Sequence, residues 1–121
     1  MRVFDASALL AFLFDEPGGS TVAAYLEDGC CCGAANWSEV AQKVALQGGV
    51  WREARALLLS FGLSIESVSA EDAETAAELW QRGSGLSLGD RLCLALGRRL
   101  DREIVTADTA WSGLPGILLI R

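Results

Sequence analysis

Four carboxylates stand where short strands are expected to give way to helices: Asp5, Glu39, Asp90 and Asp108. Asp5 ends a first strand and precedes Ala6-Ser7. Glu39 lies in Asn36-Trp37-Ser38-Glu39, just after a strand at Cys30–Gly33. Asp90 lies in Ser87-Leu88-Gly89-Asp90, at the start of a helix over Leu88–Leu100, and Asp108 follows Ile104-Val105-Thr106. In a parallel sheet these positions share one edge, outside the carboxyl ends of the strands, where such sheets bind ligands. Two carboxylates about 4 Å apart repel by ~4 kcal/mol at an effective dielectric of about 20. Several such pairs rival a typical domain stability of ~5–15 kcal/mol. A converging cluster must therefore take up protons or hold cations, and hard divalent ions such as Mg²⁺ or Mn²⁺ suit oxygen ligands. Positive helix N-termini help keep Glu39 and Asp90 ionised.

Each acid also has a plainer use. Asp5 and Asp108 can cap helices or close Asx turns. Glu39 and Asp90 fit capping boxes, with Asn36 and Ser87 as the caps. Taken one at a time, capping is the better reading of each. Ser69-Ala70-Glu71-Asp72 repeats the spacing after another strand, so spacing alone does not separate Asp72 from the four.

The elements that would carry these residues follow from hydrophobic periodicity. Strands are expected at Arg2–Asp5, Cys30–Gly33, Ser64–Val68, Glu103–Thr106 and Ile117–Ile120. Helices are expected over Ala6–Phe14, Ser20–Glu27, Trp37–Gln47, Val50–Phe61, Ala70–Arg82 and Leu88–Leu100. In the Ala70–Arg82 helix, Ala73, Ala76, Ala77 and Trp80 are expected to face inward, with Glu71, Glu74 and Glu78 outward. Trp37, Trp51 and Trp111, like Trp80, are expected to be core or half-buried. Alternating short strands and amphipathic helices argue for one α/β domain over residues 1–121 with a mostly parallel sheet.

Composition narrows the chemistry. The 121 residues contain no histidine. Ser-His-Asp and Cys-His nucleophile systems are therefore excluded, as is histidine acid–base catalysis. Cys30, Cys31, Cys32 and Cys93 form no CxxC pair, and they are read as small apolar core residues on a strand, in a reducing compartment. The net charge of −6 opposes a simple basic face for nucleic acid. Lys43 is the one lysine. Arg91, Arg98 and Arg102 recur at helical spacing; a solvated face is the better reading, except at Arg91, which lies beside Asp90 as a candidate phosphate contact. The apolar N-terminal stretch is interrupted by Asp5 and followed by Asp15-Glu16-Pro17, unlike a secretory signal. No window approaches the ~20 apolar residues of a membrane span. The expectation is a cytoplasmic protein with no membrane contact.

Val3-Phe4-Asp5-Ala6-Ser7-Ala8-Leu9-Leu10, Asn36-Trp37-Ser38-Glu39-Val40, Ser87-Leu88-Gly89-Asp90-Arg91 and Thr106-Ala107-Asp108 together resemble the PIN-domain family, in particular VapC-type toxins of toxin–antitoxin pairs. The likeness runs in order along essentially the whole chain. It implies a three-layer sandwich: a parallel sheet of order 3-2-1-4-5 with helices on both faces. In that order Asp72 drops out of the site. The resemblance further implies a Mg²⁺- or Mn²⁺-dependent endoribonuclease, restrained by a cognate antitoxin and often homodimeric. Carried over by position, Asp5, Asp90 and Asp108 would form the main metal site. Glu39 would complete it or help hold a second ion. Ser7 and Thr106 match polar positions that support the acids. Apolar surface near the first helices would receive an antitoxin segment.

Two other readings compete. A receiver-like signalling domain needs a phosphoryl-accepting Asp after the middle strand and a late Lys, and this chain has neither. A non-catalytic PIN-like interaction module would not need the intact set of acids.

Overall fold

Side chains alternate across each strand, and that alternation divides the core in two. Phe4, Cys30, Cys32 and Val105 pack on one side with Leu9, Val22, Val40 and Leu58. Val3, Cys31 and Ile104 pack on the other with Cys93, Leu94, Leu96 and Trp111. The computed structural model describes residues 1–121. Its five parallel strands are β1 (Arg2–Phe4), β2 (Cys30–Gly33), β3 (Ser64–Glu66), β4 (Ile104–Thr106) and β5 (Ile117–Leu119). They stand in the order β3-β2-β1-β4-β5. Val3 pairs with Cys31 on one side and Ile104 on the other, which sets β1 at the centre.

Helices α1 (Ala6–Leu13), α2 (Gly19–Glu27), α3 (Ala34–Leu46) and α4 (Trp51–Ser60) contribute to the first core. Helix α6 (Leu88–Leu100) covers the second face, and α5 (Ala70–Glu78) packs against α6. Gly97 lets α6 lie directly on the sheet: a Cβ there would stand 2.5 Å from Ile104 Cδ1. That contact anchors the helix whose first turn carries Asp90. The α/β three-layer sandwich, the parallel sheet and its 3-2-1-4-5 order are as the resemblance implied.

Several local expectations need correction. Helix α3 begins at Ala34, not Trp37, because Gly33 leaves β2 extended and the helix-forming Ala34-Ala35 follow at once. Asn36 is therefore inside the helix and is not its cap. Helix α5 ends at Glu78, and its inner face is one residue out of step with the expected one. Asp72 and Ala76 are buried, Thr75 and Leu79 half-buried, and Ala73 and Ala77 exposed. Trp80 is 57% exposed. The cause is electrostatic: Arg99 on α6 meets Asp72 through two hydrogen bonds, 2.8 and 3.0 Å, and turns that face inward. All four cysteines are free and buried, but Cys93 is on α6, not on a strand.

Candidate active site

Asp5 follows β1 and caps α1. Its Oδ1 accepts from the Ala8 backbone N–H at 2.9 Å. Its Oδ2 accepts from Thr106 Oγ1 at 2.6 Å, at the end of β4. Ser7 Oγ lies 2.8 and 2.9 Å from the two carboxylate oxygens and accepts from the Ala107 N–H at 2.9 Å. Ser7 and Thr106 thus stand where supporting residues were expected. Asp5 is only 4% exposed. Burial pushes its carboxyl from 3.8 up to about 6, against the hydrogen bonds from Thr106, Ala8 and Ser7, and the charge of Asp90 pushes the same way.

Asp90 lies in the first turn of α6, in a capping box with Ser87. Its Oδ2 accepts from the Ser87 N–H at 2.9 Å, and its own N–H donates to Ser87 Oγ at 3.1 Å. Glu39 is on the second turn of α3, half-buried, and its Oε1 accepts from Asn36 Nδ2 at 3.0 Å. Burial raises the Glu39 carboxyl above its ordinary range, Asn36 opposes this, and Asp90 adds to the rise. Asp90 therefore acts electrostatically on both Asp5 and Glu39. Asp108 is exposed and caps a short 3-10 turn, Thr109–Trp111, through Ala110 N–H at 2.9 Å. Its own N–H donates to Thr106 Oγ1 at 3.0 Å, so Thr106 bridges Asp5 and Asp108.

Capping and ligand binding are compatible here. Asp90 uses Oδ2 as a cap and Asp108 uses Oδ1, while Glu39 Oε1 is taken by the Asn36 side chain. Asp90 Oδ1, Asp108 Oδ2 and Glu39 Oε2 have no protein donor. None of the four acids is in a salt bridge; the ion pairs join Arg2 to Asp28 and Glu103, and Arg99 to Asp72. The donor set is oxygen-only and none of its members is ion-paired, although the charge of Lys43 acts on Glu39; this chemistry fits a hard divalent cation. The carboxylates do not close on a single point as three ligands of one ion. They line a shared edge with free oxygens.

A model of the PIN domain matches residues 2–116. The chain belongs to the PIN-domain family. Among solved structures, this PIN domain is similar to a toxin–antitoxin complex from Klebsiella pneumoniae, with a TM-score of 0.77, 22% identity, and coverage of 100% of this chain and 98% of that one. It is similar to Mycobacterium tuberculosis VapC20, a sarcin-ricin loop cleaving toxin, with a TM-score of 0.75, 20% identity and 96% coverage of both chains. It is also similar to VapBC2 from Rickettsia felis bound to a promoter DNA fragment, with a TM-score of 0.70, 17% identity, and coverage of 98% and 96%. No curated protein sequence matches the chain. No helix of this PIN domain is long and apolar enough to cross a membrane.

Of the arginines, Arg98 and Arg102 are exposed, as the solvated-face reading expected, while Arg91 stands elsewhere than expected. Arg91 follows Asp90, yet its Nη1 donates to the Ala76 carbonyl on α5 at 2.8 Å. It clamps two helices together and does not offer its guanidinium to the acidic edge. Arg98 and Arg102 line a cavity of about 430 Å³ with Ile104 and Gly116. That cavity lies at the start of β4 and the C-terminal end of α6, so these arginines cannot form a phosphate track beside the acids. Arg102 lies beyond α6, because Asp101 takes a left-handed conformation (φ 54°) and ends the helix. Asp72 is a structural carboxylate, held by Ser69 and Arg99. The site residues that sequence reasoning missed are Asn36, read as a cap, and Gly89. The one available signal was the three-residue step from Asn36 to Glu39, which on a helix puts the two on one face.

Proposed function

We propose that this PIN domain is a Mg²⁺- or Mn²⁺-dependent endoribonuclease that acts as the toxin of a toxin–antitoxin pair. The observation that carries the reading is Asp5: a buried carboxylate, oriented by Ser7 and Thr106, next to the charge of Asp90 and with no protein cation to neutralise it. Asp5, Asp90 and Asp108 would hold the ion, with Glu39 completing the set or holding a second. A bound divalent ion lowers the pKa of a water and stabilises charge on the attacking and leaving oxygens of a phosphodiester.

The chain's own residues have separate tasks. Ser7 and Thr106 fix the rotamer of Asp5. The capping oxygens of Asp90 and Asp108 lock those side chains to their turns and leave the second oxygen for a ligand. Affinity for RNA would come from the site and its neutralised charge, since the surface is net anionic. The fold shared with the Mycobacterium tuberculosis toxin VapC20 supports the toxin reading, and the fold shared with a chain of the Klebsiella pneumoniae toxin–antitoxin complex supports a toxin–antitoxin partnership. A homodimer in the cytoplasm is part of the same proposal.

The test is cleavage of RNA with and without Mg²⁺, beside the Asp5→Asn variant. Mg²⁺-dependent cleavage that disappears in folded Asp5→Asn is the expected result. Equal activity of the two proteins refutes it. The absence of three converging carboxylates favours a second reading, a non-catalytic interaction module, and failure to bind Mn²⁺ would decide for that alternative.

A further inference from the structure

Two residues outside the acidic set decide where the Glu39 carboxylate lies. The first is Asn36, one turn earlier on α3 and 2% exposed. Its Nδ2 donates to Glu39 Oε1 at 3.0 Å and to the Gly89 carbonyl oxygen at 3.3 Å. One amide nitrogen thus ties α3 to the first turn of α6. The second is Gly89 itself. A Cβ there would stand 2.5 Å from Glu39 Oε1 and 3.1 Å from its Cδ. Backbone conformation does not call for glycine at this position, which is helical and lacks a positive φ. Alanine is the better helix former. What glycine supplies is the space that the carboxylate fills.

We propose that Asn36 and Gly89 form the seat of Glu39, positioning residues that hold its carboxylate beside Asp90, one as a two-handed donor and the other as a gap. The proposal rests on the metal-dependent reading of the site. A carboxamide suits the task because it is neutral: it fixes one oxygen of Glu39 and leaves the charge for a cation. Arginine or lysine at the same place would cancel that charge. A glutamate has several free torsions, and a ligand already held in place loses less freedom on binding. Asn36 Oδ1 is buried with no hydrogen-bond partner. That penalty would vanish if position 36 were an apolar packing residue, and it is tolerated where the amide has a task.

Gly89→Ala tests the seat, because fold and site respond in opposite directions. The new Cβ meets the tip of a flexible side chain, so Glu39 swings away while α6 gains a better helix former. The expected result is a Tm equal to or above that of the parent, with Mn²⁺ affinity by calorimetry reduced about 10-fold or more. Asn36→Leu is expected to lower Mn²⁺ affinity similarly, and adding Gly89→Ala to Glu39→Ala is expected to cause no further loss. Parental Mn²⁺ affinity in Gly89→Ala overturns the proposal. A second measurement does not depend on metal: Gly89→Ala should raise Tm more in a Glu39→Ala background than in the parent. Equal increments also overturn it. If the parent binds no Mn²⁺, the nuclease reading falls, and the two Tm increments still decide whether Gly89 seats Glu39.

Discussion

Thr106 Oγ1 donates to Asp5 Oδ2 over 2.6 Å, joining the carboxyl ends of β4 and β1. Thr106 is fully buried, and the same oxygen accepts from the Asp108 N–H. Thr106→Val keeps the shape and removes both roles. A stability loss of ~1–3 kcal/mol is expected in urea denaturation. Cleavage should fall by about 10-fold or more, the usual scale for a residue that orients a ligand. A valine variant with parental stability and turnover would show that this hydroxyl does not support Asp5.

Asp5 itself should make the metal-free protein less stable as pH rises. Burial raises its carboxyl from 3.8 to about 6, so between those values the folded state binds a proton more tightly than the unfolded state. Stability is therefore highest below about pH 4, falls through about pH 6, and is level above that as far as Asp5 contributes. The rise corresponds to on the order of 3 kcal/mol, reduced in a variant by any hydrogen bond it loses. Asp5→Asn removes the slope. In EDTA at pH 7.5 it should be the more stable protein and, with Mg²⁺ restored, the inactive one. Denaturation curves for parent and variant at four pH values check this; parallel pH profiles would contradict it.

Asp72 should show the opposite dependence. Hydrogen bonds from Arg99 hold its carboxyl below the ordinary range, despite burial. Its contribution is complete above about pH 4 and drains away as pH falls through the lowered value. Arg99→Ala leaves a buried carboxylate with only its Ser69 cap. A loss of stability at pH 7 that shrinks at acid pH is expected from thermal or chemical denaturation. RNA cleavage by the folded fraction should be unaffected, because Asp72 bonds only Ser69 and Arg99 and neither it nor Arg99 bonds to any of the four acids.

The contrast between Asp72 and Asp5 marks how far the sequence could be read. Strands and helices were visible because burial on two sheet faces and along helix stripes imposes periods that survive in the residue pattern. The sheet order came from resemblance, and so did the dismissal of Asp72. Periodicity alone misplaced the inner face of α5. It placed Ala76 inward correctly but counted Ala73 and Ala77 with it, and could not foresee that Asp72, bonded to Arg99 27 residues away, would be buried instead. Asn36 was misread for a related reason. Its type favours helix caps, and the true start three residues earlier is set by Gly33 and two alanines with no capping side chain. Arg91 shows a third limit: adjacency to Asp90 in the chain says nothing about direction, and its guanidinium turns to Ala76. The four acids were legible as positions. Which oxygen of each remains free emerged only with the caps in place.

Those free oxygens lead to the last prediction, which concerns Mn²⁺ and heat. An ion that binds only the folded state stabilises it by ~2.7 kcal/mol at a concentration about 100 times its Kd. For a domain of this size that is a rise in Tm of several degrees or more. The rise must depend on pH, because Asp5 has to release its proton before it can accept a cation, and its carboxyl sits at about 6. Thermal unfolding with saturating Mn²⁺ should show a large shift at pH 7.5 and a much smaller one at pH 5. Asp5→Asn should shift little at either pH. Ordinary surface carboxylates titrate near 4 and would give the same shift at both values. A shift independent of pH, or one retained in Asp5→Asn, would therefore place the ion somewhere other than beside Asp5.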